Sequence, residues 1–255
     1  VSQITHTQRF PALFWRDLFL YLASGFGLFI GLSAAGVFIA RLWFGETALK
    51  QNLWLVAIVA YITNFVSFAG TTWVFGFLRQ KCTPHQLGFL PIRFDTHWVT
   101  IAIVIGLAML PVRMMIGLAA EYAVNGNLDS LQNRTQLIGA GGLNLSGFAL
   151  TMFGAAMLAP ISEELFFRGA IYAWLRGKFS PLKSNLVSSA LFGLAHFDSL
   201  GVILSSFILG VASAWLFERT RNMWTCISLH AFNNGLAIIL VYIGMMAMNY
   251  TQTTP

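Results

Sequence analysis

Between Phe148 and Leu175 the chain is almost unbroken apolar sequence, yet Ser162, Glu163, Glu164 and Arg168 stand in the middle of it. A run of this length suits a bilayer-spanning helix, which needs about 20 residues. One central charge in such a helix costs roughly 2.5–3.5 kcal/mol. The fold must therefore pair these charges or turn them toward a polar cavity. Helix geometry permits both. Glu164 and Arg168 are four apart with the Glu on the N-terminal side, the favourable order for a pair on one face. Glu163 lies about 100° around the helix from Glu164 and can face elsewhere. Pro160 removes one backbone donor just before the glutamates and predicts a kink there. A structural ion pair would also satisfy this spacing, but ionisable residues inside a membrane are functional by default.

The rest of the chain is of the same kind. Of its 255 residues, 57% are hydrophobic and 9% charged, with a mean hydropathy of +0.70. Soluble domains carry about 25% charged residues. The expectation is an all-α fold, a polytopic transmembrane helix bundle of about seven spans (six to eight). Residues 1–142 hold the N-terminal helices and 143–250 the site-bearing core, together one membrane domain. The formal charge of +6 belongs with loops and anionic headgroups of the lipid bilayer, not with nucleic acid. Cys82 and Cys226 lack metal-ligand spacing and predict no structural disulfide.

The spans fall at Leu18–Trp43, Leu53–Leu78, His97–Ala120, Leu143–Trp174, Ser184–Phe197, Leu200–Phe217 and Met223–Met248. Gly25, Gly27, Gly31 and Gly36 in the first predict close helix packing. Asn64 in the second reads as a tolerable polar residue of a bundle. Pro111 and Arg113 in the third predict a kinked helix whose arginine takes a structural partner. Glu121 to Gly142 reads as the longest polar loop. With seven spans, the N-terminus and the even-numbered loops hold ten of the 15 Lys and Arg, and the opposite side holds three. That bias puts the N-terminus in the cytoplasm.

The same topology serves as a depth ruler. Glu163 lies 13 residues before Arg176, and His196 lies 13 after Lys183. His230 and Asn234 lie 9 and 13 residues after Arg221. At the helical rise these are depths of about 14–20 Å from one surface. Three helices thus bring Glu, His, His and Asn to a similar level. His230 and Asn234 share one helix face. Singly, each suits interhelical hydrogen bonding; together they suit chemistry. No Ser or Cys stands beside a His with an orienting acid, and His-Glu-x-x-His is absent. Water activation remains. A carboxylate can act as base, a His can hold the water or pass protons, and a second His with an Asn amide can donate to an oxyanion. The same Glu/His/His set also suits zinc, which the spacing leaves open.

Glu163-Glu164-x-x-x-Arg168, Phe192-x-x-x-His196 and His230-x-x-x-Asn234 resemble the three motifs of the CPBP family. This family, also called Abi, comprises CAAX-type prenyl endopeptidases and bacteriocin-processing enzymes. The likeness covers roughly Phe148 to Leu240. It implies an intramembrane glutamic-type endopeptidase without a cofactor. Glu163 and His196 would activate water, His230 and Asn234 would form the oxyanion site, and Glu164 and Arg168 would support it. The implied partner is a membrane-embedded, lipid-linked or peptide substrate, and the implied setting is a bacterial inner membrane. The alternative is a non-proteolytic scaffold or bacteriocin-immunity protein that binds a membrane partner.

Overall fold

The computed structural model describes residues 14–51, 53–79, 83–89, 91–92, 94–128, 135, 138–139 and 142–253. Cys82 lies outside the described residues, and Cys226 is buried and free. Among the described residues there is no strand. The helices are α1 (Trp15–Gln51), α2 (Leu53–Thr72, prolonged by a π-helical stretch Trp73–Leu78), α3 (Thr96–Asn125), α4 (Leu145–Arg176), α5 (Pro181–Leu194), α6 (Leu200–Thr220) and α7 (Met223–Thr253). All but α5 are long and apolar enough to cross a membrane. The 14 residues of α5 span only about 21 Å.

Local chemistry sets the helix ends. Asp95 accepts from the backbone of His97 and Trp98 to start α3, and Gly126, in the left-handed region, closes it. Asn144, Ser180 and Ser199 cap α4, α5 and α6 in the same way. Gly45, at φ 79°, breaks α1 where a side chain would be strained. α3 continues through Pro111 as one helix and extends past Glu121, which the sequence places in a loop. Glu121 is instead fully buried: its carboxylate accepts from the Gly201 amide at 2.9 Å and from Asn125 at 2.9 Å. A negative group at the first turn of α6 suits the positive end of that helix.

One end of the bundle gathers the basic residues. Trp15 packs on Trp174 with ring centroids 4.5 Å apart. Arg176 bonds Glu218 at 3.1 Å, and Arg221 donates to the Gln86 carbonyl at 3.1 Å. These contacts bring the start of α1, the 83–89 loop, the end of α4, the end of α6 and the start of α7 together. α5 leaves this end antiparallel to α6, with Asn185 donating to the Val211 carbonyl at 3.1 Å. The α5–α6 hairpin therefore carries its tip, residues 195–199, into the bundle.

The core lies along α4. Phe166 and Phe167 are fully buried against Tyr21, Phe68 and Phe192. Tyr21 stacks on Phe166 at 4.5 Å, and Phe167 meets Phe192 edge-on at 5.1 Å. Outside this core, Phe19, Phe38, Leu42, Met115 and Ile243 are exposed, as a lipid-facing surface requires. The glycines of α1 divide accordingly. A Cβ on Gly25 would strike the Phe166 ring and one on Gly36 would strike Val59, whereas Gly27 and Gly31 face open space. Only part of the glycine stripe serves close packing. Gly25→Val should lower the melting temperature in detergent through an overpacking cost of about 1–3 kcal/mol. Gly27→Val should stay within about 0.5 kcal/mol of wild type. Equal melting of the two variants would refute this division of the stripe.

Candidate active site

The glutamates occupy a short α-helical turn, Ala159–Glu164, between two π-helical stretches, Gly154–Leu158 and Leu165–Tyr172. Just before Pro160, where a kink is predicted, α4 widens: the Ala159 amide reaches back to the Gly154 carbonyl. Such wide turns inside α-helices occur often at functional sites. Here they border the turn that carries both carboxylates.

Glu164 is fully buried and satisfied by three groups. His230 Nδ1 stands 2.9 Å from Oε1, Ser213 donates to Oε2 at 2.8 Å, and Arg168 Nε lies 3.3 Å from Oε2. The Arg168 guanidinium, also fully buried, sits 4.3 Å over the Phe192 ring centroid. That contact supplies cation–π attraction where hydrogen-bond acceptors are few. The ring also lies 4.7 Å from His196 and 5.6 Å from His230, so Phe192 spaces both imidazoles.

Glu163 points a different way. Its Oε1 accepts from Asn64 Nδ2 at 2.9 Å. Its Oε2 is buried without a hydrogen-bond partner within the protein. The Nε2 atoms of His196 and His230 each stand 3.8 Å from Oε2. The other ring nitrogens decide the tautomers. His196 Nδ1 is 2.8 Å from the Phe192 carbonyl, and His230 Nδ1 is 2.9 Å from Glu164. A carbonyl or a carboxylate only accepts, so both Nδ1 atoms carry hydrogen. In its neutral form each ring turns the Nε2 lone pair toward Glu163. His196 has 21% of its side chain exposed against 2% for His230, so the site is more open on the His196 side.

Asn234, one turn beyond His230, donates to the Ala155 carbonyl at 2.8 Å. It lines a cavity of about 360 Å³ among α3, α4, α6 and α7, together with Arg113, Ser205, Ser206 and Asn233. Arg113 donates to the Ser205 carbonyl at 3.0 Å and to Asn233 at 2.9 Å. The structure thus brings Glu163, Glu164, Arg168, His196 and His230 into one cluster, while Asn234, one turn from His230, bonds Ala155 and lines the cavity. Sequence reasoning missed Asn64 and Ser213. A polar residue in a membrane helix gives no sign of its partner, and neither belongs to a motif.

The family profile described as Type II CAAX prenyl endopeptidase Rce1-like matches residues 145–236. Over this segment the chain is similar to the Rce1-like family. The Rce1-like segment runs from the start of α4 into α7 and includes Glu163, Glu164, Arg168, His196, His230 and Asn234. A protein of Bacillus subtilis (strain 168) named "Putative membrane peptidase YdiL" is 31% identical over 91 residues. That alignment covers 36% of this chain and 37% of the relative, so the chain matches little more than a third of its length. No solved structure matches the chain. Six apolar helices of bilayer length and the match to a membrane peptidase profile mark an integral membrane protein. Within the Rce1-like segment, the Glu164–Arg168 pair should be essential for stability. Breaking a buried pair costs roughly 3–5 kcal/mol. Glu164→Ala and Arg168→Ala should each melt well below wild type in detergent, and a pair of wild-type-like melting curves would show that the ion pair holds nothing together.

Proposed function

We propose that the protein is an intramembrane endopeptidase that hydrolyses a peptide bond in a membrane-associated peptide or protein. One observation carries the reading: the buried Glu163 Oε2 faces two imidazole nitrogens, each at 3.8 Å. That distance is beyond a direct hydrogen bond and suits a bridging water. Glu163 takes a proton from this water as its oxygen attacks the carbonyl carbon, while His196 Nε2 orients it by accepting its second hydrogen. The carbonyl becomes a tetrahedral oxyanion. Glu163 then returns the proton to the departing nitrogen, the C–N bond breaks, and an acid and an amine result.

The oxyanion requires donors. His230 Nε2 can donate only when the ring carries both protons, because Nδ1–H already serves Glu164. The Glu164 carboxylate at 2.9 Å is the counter-charge for that imidazolium. The Asn234 amide has a second N–H besides the one on Ala155, and Asn234 lines the cavity. The cavity that Asn234 lines also presents Arg113, Ser205, Ser206 and Asn233, polar partners of the kind a substrate backbone needs inside the membrane. The basic end of the bundle marks the cytoplasmic side, which puts the N-terminus in the cytoplasm. A bacterial inner membrane is the setting, in keeping with the bacterial relative.

Glu163→Gln keeps size and removes the base. It should accumulate and melt like wild type while cleavage falls by at least about 100-fold. Substrate captured on this variant in native membranes and identified by mass spectrometry gives the cleavage assay. Full rescue of a deletion strain by Glu163→Gln would replace the peptidase with a scaffold or immunity role.

Among the described residues no group of three or more His, Cys, Asp or Glu side chains is placed to hold a metal ion, which favours the metal-free route. In the metal-free mechanism, cleavage persists in EDTA and in 1,10-phenanthroline. Inhibition reversed by zinc alone would recast Glu163, His196 and His230 as ligands.

A further inference from the structure

We propose that Asn64 of α2 is the positioning residue of the Glu163 carboxylate: it holds Oε1 and thereby fixes Oε2 as the oxygen presented to the two histidines. The inference rests on Glu163 being the base. Asn64 lies outside the Rce1-like segment, 99 residues before Glu163.

Two contacts carry the inference. Asn64 Nδ2 donates to Glu163 Oε1 at 2.9 Å, and Ser162 Oγ donates to Asn64 Oδ1 at 2.7 Å. The amide orientation follows from chemistry. An ionised carboxylate oxygen only accepts, so the side of Asn64 facing it must be the NH2 group. Ser162 then gives its proton to the amide oxygen, its shortest contact, in preference to the Ala159 carbonyl at 3.0 Å. A flipped amide would set oxygen against oxygen. Ser162 thus locks Asn64, and Asn64 locks Glu163.

The consequence is an asymmetric carboxylate. One oxygen is occupied by a fixed donor; the other is buried and faces the imidazoles. A fixed donor on Oε1 leaves Oε2 as the oxygen free to act. It also prevents rotation about the terminal bond from exchanging the two oxygens. Glu164 shows the contrast: both of its oxygens are engaged, which suits a supporting role.

Dicyclohexylcarbodiimide tests this without a substrate. It reacts with protonated carboxyl groups in apolar surroundings. The carboxyl proton goes to a carbodiimide nitrogen, and the carboxyl oxygen bonds the central carbon. Purified protein in detergent is treated, and the labelled glutamates are located and timed by mass spectrometry. Asn64→Leu should label Glu163 roughly three- to tenfold faster than wild type, because the hydrogen bond that holds Oε1 is lost and the carboxyl is no longer pinned. Ser162→Ala should fall between the two, and should add nothing in the Asn64→Leu background. Glu164 labelling should not change in any variant.

Unchanged Glu163 labelling in Asn64→Leu overturns the proposal. So does a parallel rise at Glu163 and Glu164 with a lower melting temperature, which marks a purely structural residue. Should Asn64→Leu fail to fold, Ser162→Ala decides alone, and no acceleration at Glu163 counts against the proposal. Labelling needs no proteolysis. A failed labelling test therefore leaves the peptidase reading standing, and an absence of cleavage leaves the Asn64 lock standing.

Discussion

The Glu164 carboxylate is the point on which the helices of the site depend. It stands on α4, takes a hydroxyl from Ser213 on α6 and an imidazole from His230 on α7, and lies against Arg168 one turn along its own helix. Arg168 extends the network to Phe192 on α5. Four helices are thereby fixed around one buried negative charge. Such a charge is tolerable in a low-dielectric interior only with its partners in place. The need to satisfy Glu164 therefore determines where His230 sits, and with it the level at which Glu163 meets both imidazoles.

The two adjacent glutamates divide the work through helix geometry. Neighbouring side chains diverge by about 100°, so one carboxylate can be saturated by protein groups while the other turns to the two imidazoles. The π-helical stretches on either side border this turn within α4. The aromatic core of Phe166, Phe167 and Phe192 encloses the site from the basic side. Tight packing there and the polar cluster beside it are two faces of one arrangement: Phe192 spaces both imidazoles and supports the guanidinium at once.

The N-terminal helices do more than surround this core. α1 supplies Tyr21 against Phe166, α2 supplies Asn64 to Glu163, and α3 holds the start of α6 through Glu121. Glu121 and Arg113 illustrate how a membrane bundle settles its ionisable groups. The first takes backbone and amide donors, and the second takes the Ser205 carbonyl and Asn233. Both groups tie α3 to α6, and Arg113 reaches α7 as well, near the cavity that Asn234 shares.

The sequence by itself determined the class of fold. Apolar runs of bilayer length allow only helices when backbone groups must bond internally. It also determined the pairing of Glu164 with Arg168, because residues four apart on a helix meet whatever surrounds them. The end of the bundle that gathers the basic residues was legible from their distribution in the loops. Tertiary structure alone decided the rest. Asn64 became a partner of Glu163 across 99 residues, and Ser213 a partner of Glu164 across 49, because helix packing brought them together. Glu121 moved from an expected loop to a buried cap because α6 begins beside it. The α1 glycines split into packed and lipid-facing sets, because a neighbouring helix covers only part of α1. Periodicity fixes what shares a face of one helix; which faces meet depends on the side chains of every other helix.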